Sequence, residues 1–171
     1  MRICLFFPII LPGSKKIGAI DRGIMNVGRE RKGIILRRLR EIEEKHAVRI
    51  VYACESGSRA WGFPSRDSDY DVRFLYLHPR NWYLSIRRGR DVIEEPILDE
   101  FDINGWDLRK ALGLLYRSNP PLLEWLGSPL VYLERTPVAE NLRRVARRFY
   151  LPRSCLIHYF HMADNNLRAY L

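Results

Sequence analysis

The stretch Val51-Tyr-Ala-Cys-Glu-Ser-Gly57-Ser58-Arg-Ala-Trp-Gly62-Phe-Pro-Ser-Arg-Asp-Ser68-Asp69-Tyr-Asp71-Val-Arg-Phe-Leu75 decides how the chain is read. An apolar strand enters a tight Gly57-Ser58 turn, a short helix or loop follows, and a second strand opens with Asp69-x-Asp71. Successive strand side chains alternate faces, so Asp69 and Asp71 point the same way. Two ionised carboxylates side by side repel, and a cation is the usual remedy. Hard carboxylate oxygens suit Mg²⁺, which keeps several waters and shares its shell with substrate phosphates. Gly57-Ser58 offers backbone N–H groups and a hydroxyl at a helix start, a place for a phosphate. The competing reading is a capped loop beside surface acids. Against it, the carboxylates open an otherwise apolar strand, where unpaired charge is costly. Beside them, Ser68 either shapes the strand entry or touches phosphate, and Arg59 either meets a triphosphate or stays in solvent.

Working outward, the second strand runs from Tyr70 to His78 and is apolar enough to lie inside a sheet. Pro79 ends it, and Asn81 to Ile86 reads as a helical turn or two. Asp91 to Ile97 and Leu98 to Ile103 look extended, and Asn104-Gly105 is a turn signal. Two metals about 4 Å apart serve in-line attack on an α-phosphate, and two aspartates rarely fill both shells. A third carboxylate from a neighbouring strand is therefore expected. Asp102 is best placed, with Asp99 a rival and Asp107 more simply a helix cap. Lys110, on the next helix, either reaches a triphosphate or forms a salt bridge.

Beyond Gly105 the pattern turns helical. Trp106 to Tyr116 carries Leu108, Leu112 and Leu115 on one face, and Ser118-Asn119-Pro120-Pro121 breaks it. Short helices follow over Pro121 to Leu126, from a Thr136-Pro137 start to Tyr150, and over Pro152 to Leu171. The last has no exit signal, so a longer C-terminal domain is expected. Arg143, Arg144, Arg147 and Arg148 form two i, i+4 rows that either track a nucleic-acid backbone or make a wet face. His158 and His161 lie one turn apart, but without a third ligand nearby they read as structural. Trp61, Trp82, Trp106 and Trp125 read as packing anchors.

Upstream, Ile35, Leu39 and Ile42 mark one face of a helix over Arg29 to Lys45, and Val48 to Cys54 a strand. Residues 1–24 read as a loosely attached extension. Its apolar run is too short for a bilayer and Pro8 interrupts it as a signal peptide. The 171 residues are 47% hydrophobic, enough to bury a core, and a net charge of +9 suits a polyanionic partner. Cys4, Cys54 and Cys155 are odd in number and far apart, which argues against a disulfide framework or zinc site and for a reducing cytosol.

The arrangement resembles the polymerase-β-type nucleotidyltransferase superfamily: a Gly-Ser turn, a spacer, Asp-x-Asp on a strand, and a later Asp. Gly57-Ser58-Arg-Ala-Trp-Gly62, Ser68-Asp69-Tyr-Asp71, Asn104-Gly105-Trp106-Asp-Leu-Arg-Lys110, Ser118-Asn119-Pro120 and Leu123-Glu124-Trp125-Leu126-Gly-Ser-Pro129 are similar to its RNA-repair-associated family, named for proteins encoded beside RNA ligases. The resemblance covers about Met25 to Leu171. It implies an α+β fold: a minimal palm, a mixed β-sheet with flanking helices over residues 25–105, then a helical region over 106–171. It also implies Mg²⁺-dependent transfer of a nucleotidyl group from an NTP to a hydroxyl, with RNA the expected acceptor and Mn²⁺ a possible substitute. By the same resemblance Asp69 and Asp71 hold two metal ions, Asp102 completes the catalytic one, and Gly57 and Ser58 bind the β,γ-phosphates. The rival readings are a nucleotidyltransferase for an antibiotic or a protein, and a non-catalytic palm that binds nucleotide or RNA.

Overall fold

The computed structural model describes residues 28–170, apart from residues 64, 66, 67, 88, 98, 99 and 136 and the side chains of 169 and 170. The extension over 1–24, the rival Asp99 and the helix start at Thr136 thus lie outside the described residues. The fold is α+β. Helix α1 (Arg29–His46) precedes strand β1 (Arg49–Glu55), the single turn α2 (Ser58–Trp61) and strand β2 (Tyr70–Leu77). A second short turn, α3 (Arg80–Tyr83), leads to β3 (Val92–Glu94) and β4 (Phe101–Asp107). Helices α4 (Leu108–Tyr116) and α5 (Pro120–Gly127), strand β5 (Val131–Glu134), and helices α6 (Val138–Phe149) and α7 (Pro152–Tyr170) complete the chain.

The five strands form one sheet in the order β3-β4-β2-β1-β5, with β2 and β4 parallel and the other neighbours antiparallel. One face carries Ile50, Ala53, Val72, Phe74, Tyr76 and Ile103 and is closed by Ile35, Leu39 and Ile42 of α1. This is the amphipathic stripe expected from their spacing. The other face carries Tyr52, Cys54 and Leu75 under Ala111, Leu115, Leu122, Trp125, Leu142 and Ala146. Trp106 stacks on Trp125 with ring centroids 3.7 Å apart, so both are packing anchors. Each large apolar side chain buried in these layers contributes about 1.5–3 kcal/mol of transfer free energy.

Two departures from the sequence reading bear on the site. Asn104-Gly105 is no turn: both residues lie inside β4, which runs on through Trp106 to Asp107 before α4 begins. A Cβ on Gly105 would overlap the ring of Phe74 on β2, so the glycine is required for close approach of neighbouring strands. The sheet therefore does not end at residue 105. It also recruits β5, which was not foreseen, against the free edge of β1. On α4 the buried residues are Ala111 and Leu115, while Leu112 is exposed. Among the described residues no helix is long and apolar enough to cross a membrane.

Candidate active site

The parallel pairing of β2 and β4 sets Asp71 directly opposite Asp102. Both side chains are about one-third exposed, at 30% and 32%. Alternation along β2 puts Asp71, Arg73 and Leu75 on one face, and Leu75 lies under the C-terminal helices. The carboxylates thus open at the entry end of the strands, on the helix-covered face. Asp69, two residues ahead of Asp71, is exposed just outside β2. Burial pushes the Asp71 carboxyl above its ordinary range. Arg73 works against that shift, while Asp102 and then Asp69 add to it. The other two acids foreseen from the sequence therefore both bear on Asp71.

The bend after β1 closes on the same point. A Cβ on Gly57 would overlap the Asp71 carboxylate, so the bend touches that side chain only because residue 57 is glycine. Beneath it lies Glu55, fully buried. Its Oε1 accepts the N–H of Asp71 at 2.8 Å and of Gly57 at 3.2 Å, and its Oε2 accepts the Tyr132 hydroxyl at 2.5 Å. Ser128 Oγ donates to the Glu55 carbonyl at 2.5 Å, and Ser56 N–H donates to the Asp71 carbonyl at 2.9 Å. One carboxylate thus ties the bend, the β2 entry and β5 together. Burial pushes Glu55 above its ordinary range, opposed by these three donors, and pushes the Tyr132 hydroxyl up as well. Sequence reasoning missed Glu55. A charge ending an apolar strand was the signal available, the same signal that singled out the aspartates.

Arg73 was missed too. Its Nη2 donates to Asp102 Oδ2 at 2.6 Å and to Asp71 Oδ1 at 3.1 Å, bridging the pair. Its Nη1 donates to the backbone carbonyls of Asp102 at 3.0 Å and Val72 at 3.3 Å.

Other expected residues are placed differently. Arg59 turns back on the chain, donating to the carbonyls of Ser68 at 2.7 Å and Asp69 at 3.3 Å, with its guanidinium 3.9 Å from the Tyr70 ring centroid. It braces the acidic strand entry. Ser68 is bonded within its own loop: its Oγ accepts the Ser65 N–H at 2.7 Å and lies 2.9 Å from the Ser65 hydroxyl. The Gly57 N–H is spent on Glu55, which moves the phosphate-binding expectation onto Ser58. Lys110 is not brought to the site. Because β4 continues to Asp107, the lysine stands at the opposite end of the sheet and pairs with Asp91 at 3.3 Å. Asp107 is the N-cap of α4, accepting the Arg109 N–H at 2.8 Å. On α6, Arg143 points inward and donates to the Leu126 carbonyl at 2.5 Å, which breaks one of the two basic rows. Arg144, Arg147 and Arg148 remain exposed.

The donor chemistry suits a hard divalent ion: carboxylate oxygens on two adjacent strands, already gathered around a cation. Among the described residues no three carboxylate, imidazole or thiolate side chains already stand together as a set that could hold a metal ion. An ion here would draw on the paired carboxylates of Asp71 and Asp102, with Asp69 brought in from the strand entry and water or phosphate oxygens completing its shell, as Mg²⁺ accepts.

Residues 32–171 match the family described as RlaP, RNA repair pathway DNA polymerase beta family. The chain belongs to that family. RlaP proteins are thereby placed with the polymerase-β-like nucleotidyltransferases, as the Gly-Ser bend and the aspartates suggested. The chain is also 56% identical over 137 residues to the Bacillus subtilis (strain 168) protein YcgL, itself described as uncharacterized. That match takes in 80% of this chain and 53% of YcgL, so the chain spans about half the length of that relative. No solved structure matches the chain.

Proposed function

We propose that the chain is the catalytic part of an Mg²⁺-dependent nucleotidyltransferase that moves a nucleoside monophosphate from an NTP to a hydroxyl on RNA. The observation that carries this reading is the register of Asp71 against Asp102, with Asp69 two residues ahead and the Gly57 bend touching Asp71. In the proposed step the acceptor oxygen bonds to the α-phosphorus as the bond to the oxygen bridging the α- and β-phosphorus breaks. Pyrophosphate then leaves, and the acceptor proton passes to solvent. Bound divalent ions would neutralise charge on the triphosphate and make the acceptor hydroxyl more acidic.

The chain's own residues have separate tasks. Asp69, Asp71 and Asp102 present the oxygens, and Ser58 receives the leaving phosphates. Glu55 holds the bend and β2 in register, and Arg59 braces the loop that carries Asp69. The RNA acceptor is favoured by the net charge of +9 and by the repair pathway in the family's description. Exposed Arg144, Arg147 and Arg148 suit a phosphate backbone.

The test is incubation with α-labelled NTPs, Mg²⁺ or Mn²⁺, and RNA, alongside Asp69→Ala. Metal-dependent label on RNA that is lost in the variant is the expected result. Label that persists in the variant, or never appears under any metal and nucleotide, refutes the reading.

A further inference from the structure

The guanidinium of Arg73 has no part in the transfer scheme above, yet it lies between two of the carboxylates that scheme depends on. Its side chain is 16% exposed, against 30% and 32% for Asp71 and Asp102, so it sits beneath them. Two backbone carbonyls pin Nη1, leaving Nη2 to bridge Asp71 Oδ1 and Asp102 Oδ2. An arginine so anchored stays in place. It takes one oxygen from each carboxylate and leaves the other.

We propose that Arg73 is a built-in counter-ion that competes with the divalent cation for Asp71 and Asp102. It holds the two acids together in the metal-free chain and keeps metal affinity low until a nucleotide arrives with its own cation. This rests on the transferase reading. The formal charges of Asp69, Asp71 and Asp102 set against one guanidinium leave −2, which a single divalent ion balances. A second ion is then expected only with the triphosphate. Removing the guanidinium removes a like charge from the ion's immediate neighbourhood and frees both inner oxygens.

The experiment measures Mn²⁺ binding to the nucleotide-free chain by the electron paramagnetic resonance of free Mn²⁺, together with the metal-induced shift in melting temperature. Wild type, Arg73→Gln, Arg73→Lys and Asp71→Asn are compared. Arg73→Gln is expected to bind Mn²⁺ roughly tenfold more tightly or better, with a lower metal-free melting temperature and a larger shift on adding metal. Arg73→Lys keeps the charge without the fork and should fall between the two. Equal or weaker binding by a folded Arg73→Gln overturns the proposal. If Arg73→Gln does not fold without metal, Arg73→Lys decides, and unchanged affinity in that variant overturns it. Mn²⁺ binding that Asp71→Asn abolishes but neither Arg73 variant alters sinks the competitor role alone. No Mn²⁺ binding by any variant, even with a non-hydrolysable NTP analogue, sinks both this inference and the transferase reading.

Discussion

The two ends of the paired strands β2 and β4 carry aspartates in different settings. At the entry end, Asp71 and Asp102 stand one-third exposed and share one guanidinium between them. At the exit end, Asp107 is fully buried. Its carboxylate accepts the Tyr83 hydroxyl at 2.5 Å and the Arg109 N–H at 2.8 Å, and its own N–H donates to the Asp91 carbonyl at 3.0 Å. His78 stacks on Trp82 beside it, and Gly89 lies against the same indole. Neutral donors meet the acid at the exit and the fold closes over it. At the entry the acids face each other across a single cation with oxygens to spare. Residue type is the same at both ends, so accessibility and the remaining coordination capacity are what separate a site from a cap.

The largest break in that contrast is Asp71→Ala. The transferase reading predicts a loss of label transfer of about a thousandfold or more, about 4 kcal/mol in the barrier. Stability should hold, because the change also removes one member of a repelling pair. Its counterpart is Asp107→Ala. Loss of the cap costs about 1 kcal/mol, and the stranded Tyr83 hydroxyl adds about 1–2 kcal/mol. Urea unfolding should therefore show a loss of about 2–3 kcal/mol, with label transfer per folded molecule unchanged. If Asp107→Ala abolished transfer without loss of stability, the division between the two ends would be wrong.

A smaller effect is expected at the bend. The Cβ of Gly57→Ala must push the Asp71 carboxylate aside, since the two would overlap. Transfer should fall roughly ten- to a hundredfold, as displaced catalytic groups commonly show. Circular dichroism of the variant should stay that of the wild type.

How much of this was legible beforehand depends on whether the deciding contact is local. The Asp-x-Asp motif, the glycine bend, α1 and the cap at Asp107 follow from spacing and neighbouring residues. Asn104-Gly105 was misread because a turn preference yields to the ring of Phe74, which the chain supplies from another strand. Strand β5 is four residues long, too short for alternation to show. Lys110 looked close to Asp102 in sequence, but the continuing strand carries it to the far end. Glu55 and Arg73 act through partners 77 and 29 residues away, Tyr132 and Asp102, and no local pattern encodes those pairings.

The finest distinction concerns Glu55, a buried acid like Asp107 but placed at the open end. Its folded-state pKa lies above its ordinary value of 4.5, with burial the largest cause. Over the interval above that ordinary value the native state binds more protons than the unfolded chain. Stability therefore falls as pH rises from about 4.5 through the folded pKa, and levels off above it. Asp71 is shifted in the same direction, so it adds to the slope. Glu55→Gln can keep the geometry, its carbonyl accepting from Gly57 and Asp71 and its amide donating to the Tyr132 oxygen. Near pH 5 it should cost less than about 1 kcal/mol. Its deficit should then shrink as pH rises, because only the wild type goes on to bury a charge. Urea midpoints across pH 4.5 to 8 measure this directly. A deficit that instead grew with pH would mean that the ionised carboxylate is the better partner for Gly57, Asp71 and Tyr132.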